Sequence, residues 1–153
     1  MPTAARRQAR IVALQTFYEI ESTRHPAGDV LRRNLDEPVS ENVNPTQPLG
    51  QPAREYAREL VEGVLRNYEE IDELIEGCAP SWPLDQMSRI DKSILQLAIF
   101  EILFDNRVPL KAAINEAVEL GKRFGSDSSS RFINGVLGTV AANQQSQGSK
   151  ARK

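Results

Sequence analysis

Near the start of the chain, three arginines and a tyrosine have the chemistry to hold a nucleic acid. Arg6, Arg7 and Arg10 are permanent cations that can neutralise phosphates, and the N–H groups at a helix N-terminus add to such an anion site. Tyr18 lies eleven residues beyond Arg7. On a helix that is a rotation of about 1100°, or about 20° off the same face, and about 16 Å along the axis. A basic edge beside an aromatic ring suits single-stranded nucleic acid, whose unpaired bases can stack on the ring. Helix geometry leaves a second reading level with this one, in which Tyr18 packs on a neighbouring helix and the arginines are only solvated.

Residues suited to catalysis or metal binding are scarce. Cys78 and His25 are each the single residue of its type, so neither an internal disulfide nor a zinc site of three or four ligands can be built from them. Each reads as a filler thiol and a surface imidazole. The acidic run Glu69, Glu70, Asp72, Glu73 and Glu76 alternates with Ile71, Leu74 and Ile75, as a solvated helix face does. Gly135-Val136-Leu137-Gly138 has the outline of a KH-type GxxG clamp, but it lies in an apolar helical stripe and reads as close helix packing. Neither a dinucleotide fingerprint nor a P-loop lysine motif is present. The expectation is a binding protein with no catalytic residues, no metal and no cofactor.

The elements that must position these residues read as helices. Ala9, Ala13, Phe17 and Ile20 recur at helical intervals within Ala4 to Arg24, a stretch without glycine or proline that ends at His25-Pro26. A short helix from Asp29 to about Asp36 carries Val30, Leu31 and Leu35. Residues 37–52, with Pro38, Pro45, Pro48 and Pro52, read as an exposed loop. Pro52 opens a third helix with Tyr56, Leu60 and Val64 inward, running to about Asn67. A fourth carries Ile71, Leu74 and Ile75 and is stopped by Gly77 and Pro80. Ser81-Trp82-Pro83 opens the next element, and from Ile94 to Phe104 only Gln96 and Glu101 are polar, which marks a buried central helix. Pro109 to Gly125 frames a sixth helix lined by Ala113, Ala117, Leu120 and Phe124. Asp127, Ser128, Ser129 and Ser130 then cap a seventh with Phe132, Ile133, Val136, Leu137 and Val140 inward. The fold class is all-α, with about seven helices.

The 153 residues and 40% hydrophobic content suit one domain or two small subdomains. A formal net charge of −2 hides a division: residues 1–24 carry +2, residues 54–76 carry −5, and the tail from Asn143 carries +3. Such asymmetry fits local contact with a polyanion while other faces stay acidic. No run approaches the roughly 18 apolar residues of a membrane span, and Met1 to Arg10 has no apolar stretch of a signal peptide. These features imply no membrane and a cytoplasmic protein. Residues 143–153 read as a disordered basic tail.

With these residues in view, the chain resembles the NusB family of bacterial transcription antitermination factors. One stretch is Ala4-Ala5-Arg6-Arg7-Gln8-Ala9-Arg10 with Gln15 and Phe17-Tyr18, similar to the family's arginine-rich first helix. Another is Trp82-Pro83-Leu84-Asp85 with Arg89-Ile90-Asp91-Lys92 and on to Glu101. The most specific runs from Val108-Pro109-Leu110-Lys111 through Ile114-Asn115-Glu116-Ala117 and Phe124-Gly125 to Arg131-Phe132-Ile133-Asn134-Gly135. The resemblance implies two packed small helical bundles, the first ending near Asn67 to Glu76, within an RNA-binding domain of residues 1–142. It also implies a non-enzymatic partner of boxA RNA, a single-stranded signal in nascent ribosomal RNA, bound as a heterodimer with the ribosomal protein NusE so that RNA polymerase does not terminate early. Carried over residue by residue, Arg6, Arg7, Arg10 and Tyr18 are RNA contacts, joined by a tip around Ser128, Arg131 and Phe132, and Asp91 is a NusE contact. Gln8, Ser128 and Gly138 depart from the family pattern, and residues 37–52 carry no role.

Two other readings stand beside this one. A NusB-like domain also forms the RNA-reading part of some RNA methyltransferases, and a helical adaptor could bind protein only through the acidic 54–76 surface. Some family members self-associate and bury the RNA face, so the resemblance leaves monomer and homodimer both open.

Overall fold

The structure, a computed structural model, describes residues 3–36, 49–79, 87–105 and 107–151, with side chains from residue 4 to residue 144 among them. Every regular element of the described residues is helical: α1 (Thr3–Thr23), α2 (Ala27–Asp36), α3 (Gln51–Arg66), α4 (Tyr68–Cys78), α5 (Arg89–Phe100), α6 (Leu110–Phe124) and α7 (Ser129–Ala151). They form two compact units, Met1–Arg66 and Asn67–Lys153. The boundary falls at the near edge of the interval that the resemblance implies.

In the first unit α1 packs against α2 and α3. The 3.6-residue period of α1 puts Ala9, Ala13 and Phe17 in the core, joined by Ile11, Val12 and Leu14. Ile20 is only half-buried. The left-handed Arg24 (φ 61°) ends α1 just before Pro26, which cannot continue it. Polar bonds then fix the helices' register. Asn34 donates to Thr16 Oγ1 (3.2 Å), whose hydroxyl in turn donates to the Val12 carbonyl (2.8 Å). Arg54 holds the end of α2 through the Leu35 carbonyl (2.7 Å) and the Asp36 carboxylate (2.9 Å).

In the second unit α5 is the central helix. Seven consecutive residues, Ser93 to Ile99, are buried, and α4, α6 and α7 surround it. Its start follows a capping rule: Ser88 Oγ accepts a hydrogen bond from Asp91 N (3.1 Å). Buried Gln96 is satisfied by donating to Asp72 Oδ1 on α4 (2.9 Å), and Lys92 lies 3.9 Å from the other oxygen. One acid of the acidic run is therefore a tie between α4 and α5.

Several boundaries differ from expectation. Helix α5 stops at Phe100 and gives way to a π-helical turn, Glu101–Asp105, rather than continuing through Phe104. Gly77 does not stop α4, which runs to Cys78 and is closed by Ala79 N donating to the Ile75 carbonyl (2.9 Å). Pro109 is the N-cap of α6 rather than part of its first turn. Leu49, expected in an exposed loop, is buried; an apolar side chain two residues before the start of α3 packs inward although the run of prolines around it reads as a loop. Helix α7 continues to Ala151, into residues 143–153, which read from the sequence as a basic tail. The buried apolar stripe ends at Val140 and Ala141, but Ala142 and Gln144 remain good helix formers and no proline intervenes. The expectations for residues 37–48, Ser81-Trp82-Pro83 and the last two residues lie outside the described residues.

Small residues matter at the α6–α7 junction, though not where the GxxG pattern put them. Around Gly135 and Gly138 nothing lies within 4 Å of where a Cβ would stand, so close packing is not their role. At Gly125 a Cβ would stand 2.3 Å from Ser129 Oγ, 2.5 Å from Ser129 Cβ and 2.8 Å from the Gly121 carbonyl oxygen. Its backbone (φ −95°, ψ −167°) is open to any residue, so the constraint is purely steric. Gly125→Ala is expected to cost about 1–3 kcal/mol by overpacking, read as a lowered denaturant midpoint. An unchanged midpoint would mean that Ser129 can move aside without cost.

Candidate nucleic-acid interface

Each sequence-predicted residue of the first unit has a different setting, although all stand on one helix. Arg7 is exposed and Tyr18 is 45% exposed. Both stand where a phosphate and a base could reach them, as their eleven-residue spacing requires. Arg10 is only 3% exposed and makes contacts within the chain. The expectation that it covers a phosphate as a surface cation is therefore corrected: it is a core arginine of the first unit. Arg6 is intermediate, with its guanidinium carbon 5.4 Å from the centre of the Tyr56 ring.

A second group stands at the tip of the other unit, where Gly125 turns the chain from α6 into α7. Ser128 and Arg131 are exposed, and Phe132 is half-buried. Buried Ser129 is a structural member of this turn. Its Oγ accepts from Ser126 N (2.9 Å), and its own N–H donates to the Ser126 carbonyl (3.0 Å). The Ser126 hydroxyl lies 3.3 Å from that of Ser128. Sequence reading gave no role to Arg123, which is exposed with its guanidinium 5.6 Å from the centre of the Phe124 ring. Its position in the last turn of α6, one residue before an aromatic, was the available signal.

Asp91 sits in the first turn of α5, 9% exposed, and its Oδ1 is buried without a hydrogen-bond donor. The helix N-terminus offsets part of the cost of that buried charge. Cys78 offers no chemistry. Burial pushes its thiol above the ordinary value, while Asn143, donating to Sγ at 3.8 Å, pulls the other way; the group stays protonated at neutral pH and is a poor nucleophile. Among the described residues no three of His, Cys, Asp and Glu come together to hold a metal ion. In α4, Ile71 and Ile75 are buried while Glu69, Glu70, Glu73 and Glu76 face solvent, an ordinary amphipathic division. No described helix is long and apolar enough to cross a membrane.

Architecture alone defines the class: an all-α protein of two helical units with a basic, aromatic edge on its first helix. The model of the NusB family matches residues 7–142, and the chain belongs to that family. The transcription antitermination protein NusB of Chloroflexus aggregans is 45% identical over 137 residues, which is 88% of this chain and 85% of the relative. That of Myxococcus xanthus is 45% identical over 137 residues, covering 90% and 94%. Among solved structures, T. maritima NusB superposes with a TM-score of 0.80 at 30% identity, over 93% of this chain and 92% of its own. A chain from the crystal structure of antitermination factors NusB and NusE in complex with double-stranded RNA shares the fold, with a TM-score of 0.77 at 24% identity over 91% and 97%.

Proposed function

We propose that this protein is a non-enzymatic transcription antitermination factor of the cytoplasm. It binds boxA-type single-stranded RNA in nascent ribosomal transcripts, together with NusE, as part of an RNA polymerase antitermination complex. Family membership supports the general role. The observation that carries the RNA reading is the exposure of Arg7 and Tyr18 on α1 while Arg10 and Phe17, on the same helix, are buried. A cation and a ring on one exposed face can hold a phosphate and stack a base. Arg6 adds a second phosphate contact, and Ser128, Arg131 and Phe132 add the tip. The RNA-binding domain spans residues 1–142, with residues 143–153 a basic extension.

The deciding experiment titrates a boxA-like RNA, with and without NusE, at two salt concentrations, and repeats it with the RNA as a duplex. Binding is expected to be tighter to the single strand, to weaken as salt rises, and to strengthen when NusE is present, because the partner extends the contact surface. Duplex RNA is the informative competitor, since it is the RNA named for the NusB–NusE fold neighbour. Binding to neither form would leave the protein-only adaptor reading.

Asp91 is the proposed NusE contact, and its burial determines how to test it. A lysine there would place a cation at a helix N-terminus in a site only 9% exposed, so reversal of charge would damage the fold as well as the interface. Asp91→Asn keeps the shape and removes the charge. It is expected to weaken NusE binding with little change in melting temperature; unchanged NusE affinity would remove Asp91 from the interface.

A further inference from the structure

Tyr56 lies on α3 and Arg6 on α1, and the two meet inside the first unit. Only 1% of Tyr56 is exposed, so its ring cannot touch a ligand. Arg6 is half-buried, and its Nε is sealed from solvent without an acceptor. Among the described residues no carboxylate pairs with this guanidinium; what holds it is the ring. That difference has a chemical consequence. An ion pair fixes an arginine by neutralising it, whereas an aromatic face attracts and orients the cation through its quadrupole and leaves the charge in place. A flexible side chain held this way has less conformational freedom to lose when a phosphate arrives.

We propose that Tyr56 is a positioning residue for RNA binding: its buried ring holds the Arg6 guanidinium in place for a phosphate of the RNA. The proposal rests on the reading that the α1 edge binds RNA. It explains why a cation at a binding edge carries a buried nitrogen with no acceptor, which is costly unless the ring offsets it.

The test is a double-mutant cycle with boxA-like single-stranded RNA, each variant measured well below its own melting midpoint. Its members are Arg6→Ala, Tyr56→Leu and the pair, with Tyr56→Phe as the conservative control. Arg6→Ala should weaken binding. Tyr56→Leu should weaken it about three- to tenfold, the cost of immobilising on binding one side chain that is no longer held beforehand, and Tyr56→Phe should restore most of the loss. In the Arg6→Ala background Tyr56→Leu should have no further effect. A silent Tyr56→Leu beside a damaging Arg6→Ala, or losses that multiply in the pair, would overturn the positioning role alone. A silent Arg6→Ala would overturn the reading of Arg6 as a phosphate contact and the proposal with it. If Tyr56→Leu does not fold, the native chain still decides. The Arg6 Nε–Hε resonance should be shifted upfield by the ring and exchange slowly with water; a free-arginine shift with fast exchange would overturn the proposal.

Discussion

Truncating Phe17 to alanine is expected to lower folding stability by about 3–5 kcal/mol, whereas truncating its neighbour Tyr18 should leave melting nearly unchanged and weaken RNA binding by about 1–3 kcal/mol. The two residues are adjacent, and one residue along a helix is a turn of about 100°. Phe17 is 4% exposed on the stripe of Ala9 and Ala13, while Tyr18 is 45% exposed. Removing Phe17 leaves a cavity lined by core groups that cannot fully close on it. Removing Tyr18 takes away a stacking surface that the fold does not use. Tyr18→Phe should keep most of the binding, because the ring supplies the stacking. Melting curves and RNA titrations on the three variants read both quantities. A Tyr18→Ala protein that melts early and binds RNA normally while folded would return Tyr18 to the core.

How far the sequence revealed this depends on the range of the interaction. Helices α3, α6 and α7 were legible because a period of 3.6 residues is local information, carried by Tyr56, Leu60 and Val64 or by Ala113, Ala117 and Leu120. The π-turn at Glu101–Asp105 was not, since an apolar run such as Ile94 to Phe104 has the same appearance whether its last turn is α or π. Nor was the role of Gly125: the pattern draws attention to Gly135 and Gly138, but the steric demand comes from Ser129 folding back over the turn. Arg6 over Tyr56 joins residues fifty positions apart, and no local rule pairs them. Arg10 is a different case, because its burial was available from phase. It stands seven residues before Phe17, about 700° of rotation and so about 20° off the same face. Its charge pointed to solvent while its position pointed to the core, and position decided.

That division among the arginines leads to the second large effect. Arg10→Ala is expected to cost stability, about 3 kcal/mol, because truncating a buried charged side chain leaves its neighbours without their contacts and removes the packing of its stem. Arg7→Ala should leave the melting temperature in place and weaken binding across RNA sequences, since a phosphate contact carries no base information. The salt dependence separates the two further. Three surface arginines would contribute about −2 to the log–log slope of affinity against salt; with Arg10 inside the bundle, Arg6 and Arg7 contribute about −1.4. Arg7→Ala should flatten the measured slope by about 0.7, and Arg10→Ala, measured on folded protein, should leave the slope as it is. A slope that flattens equally for both would put Arg10 on the RNA, which requires α1 to rearrange when the RNA binds.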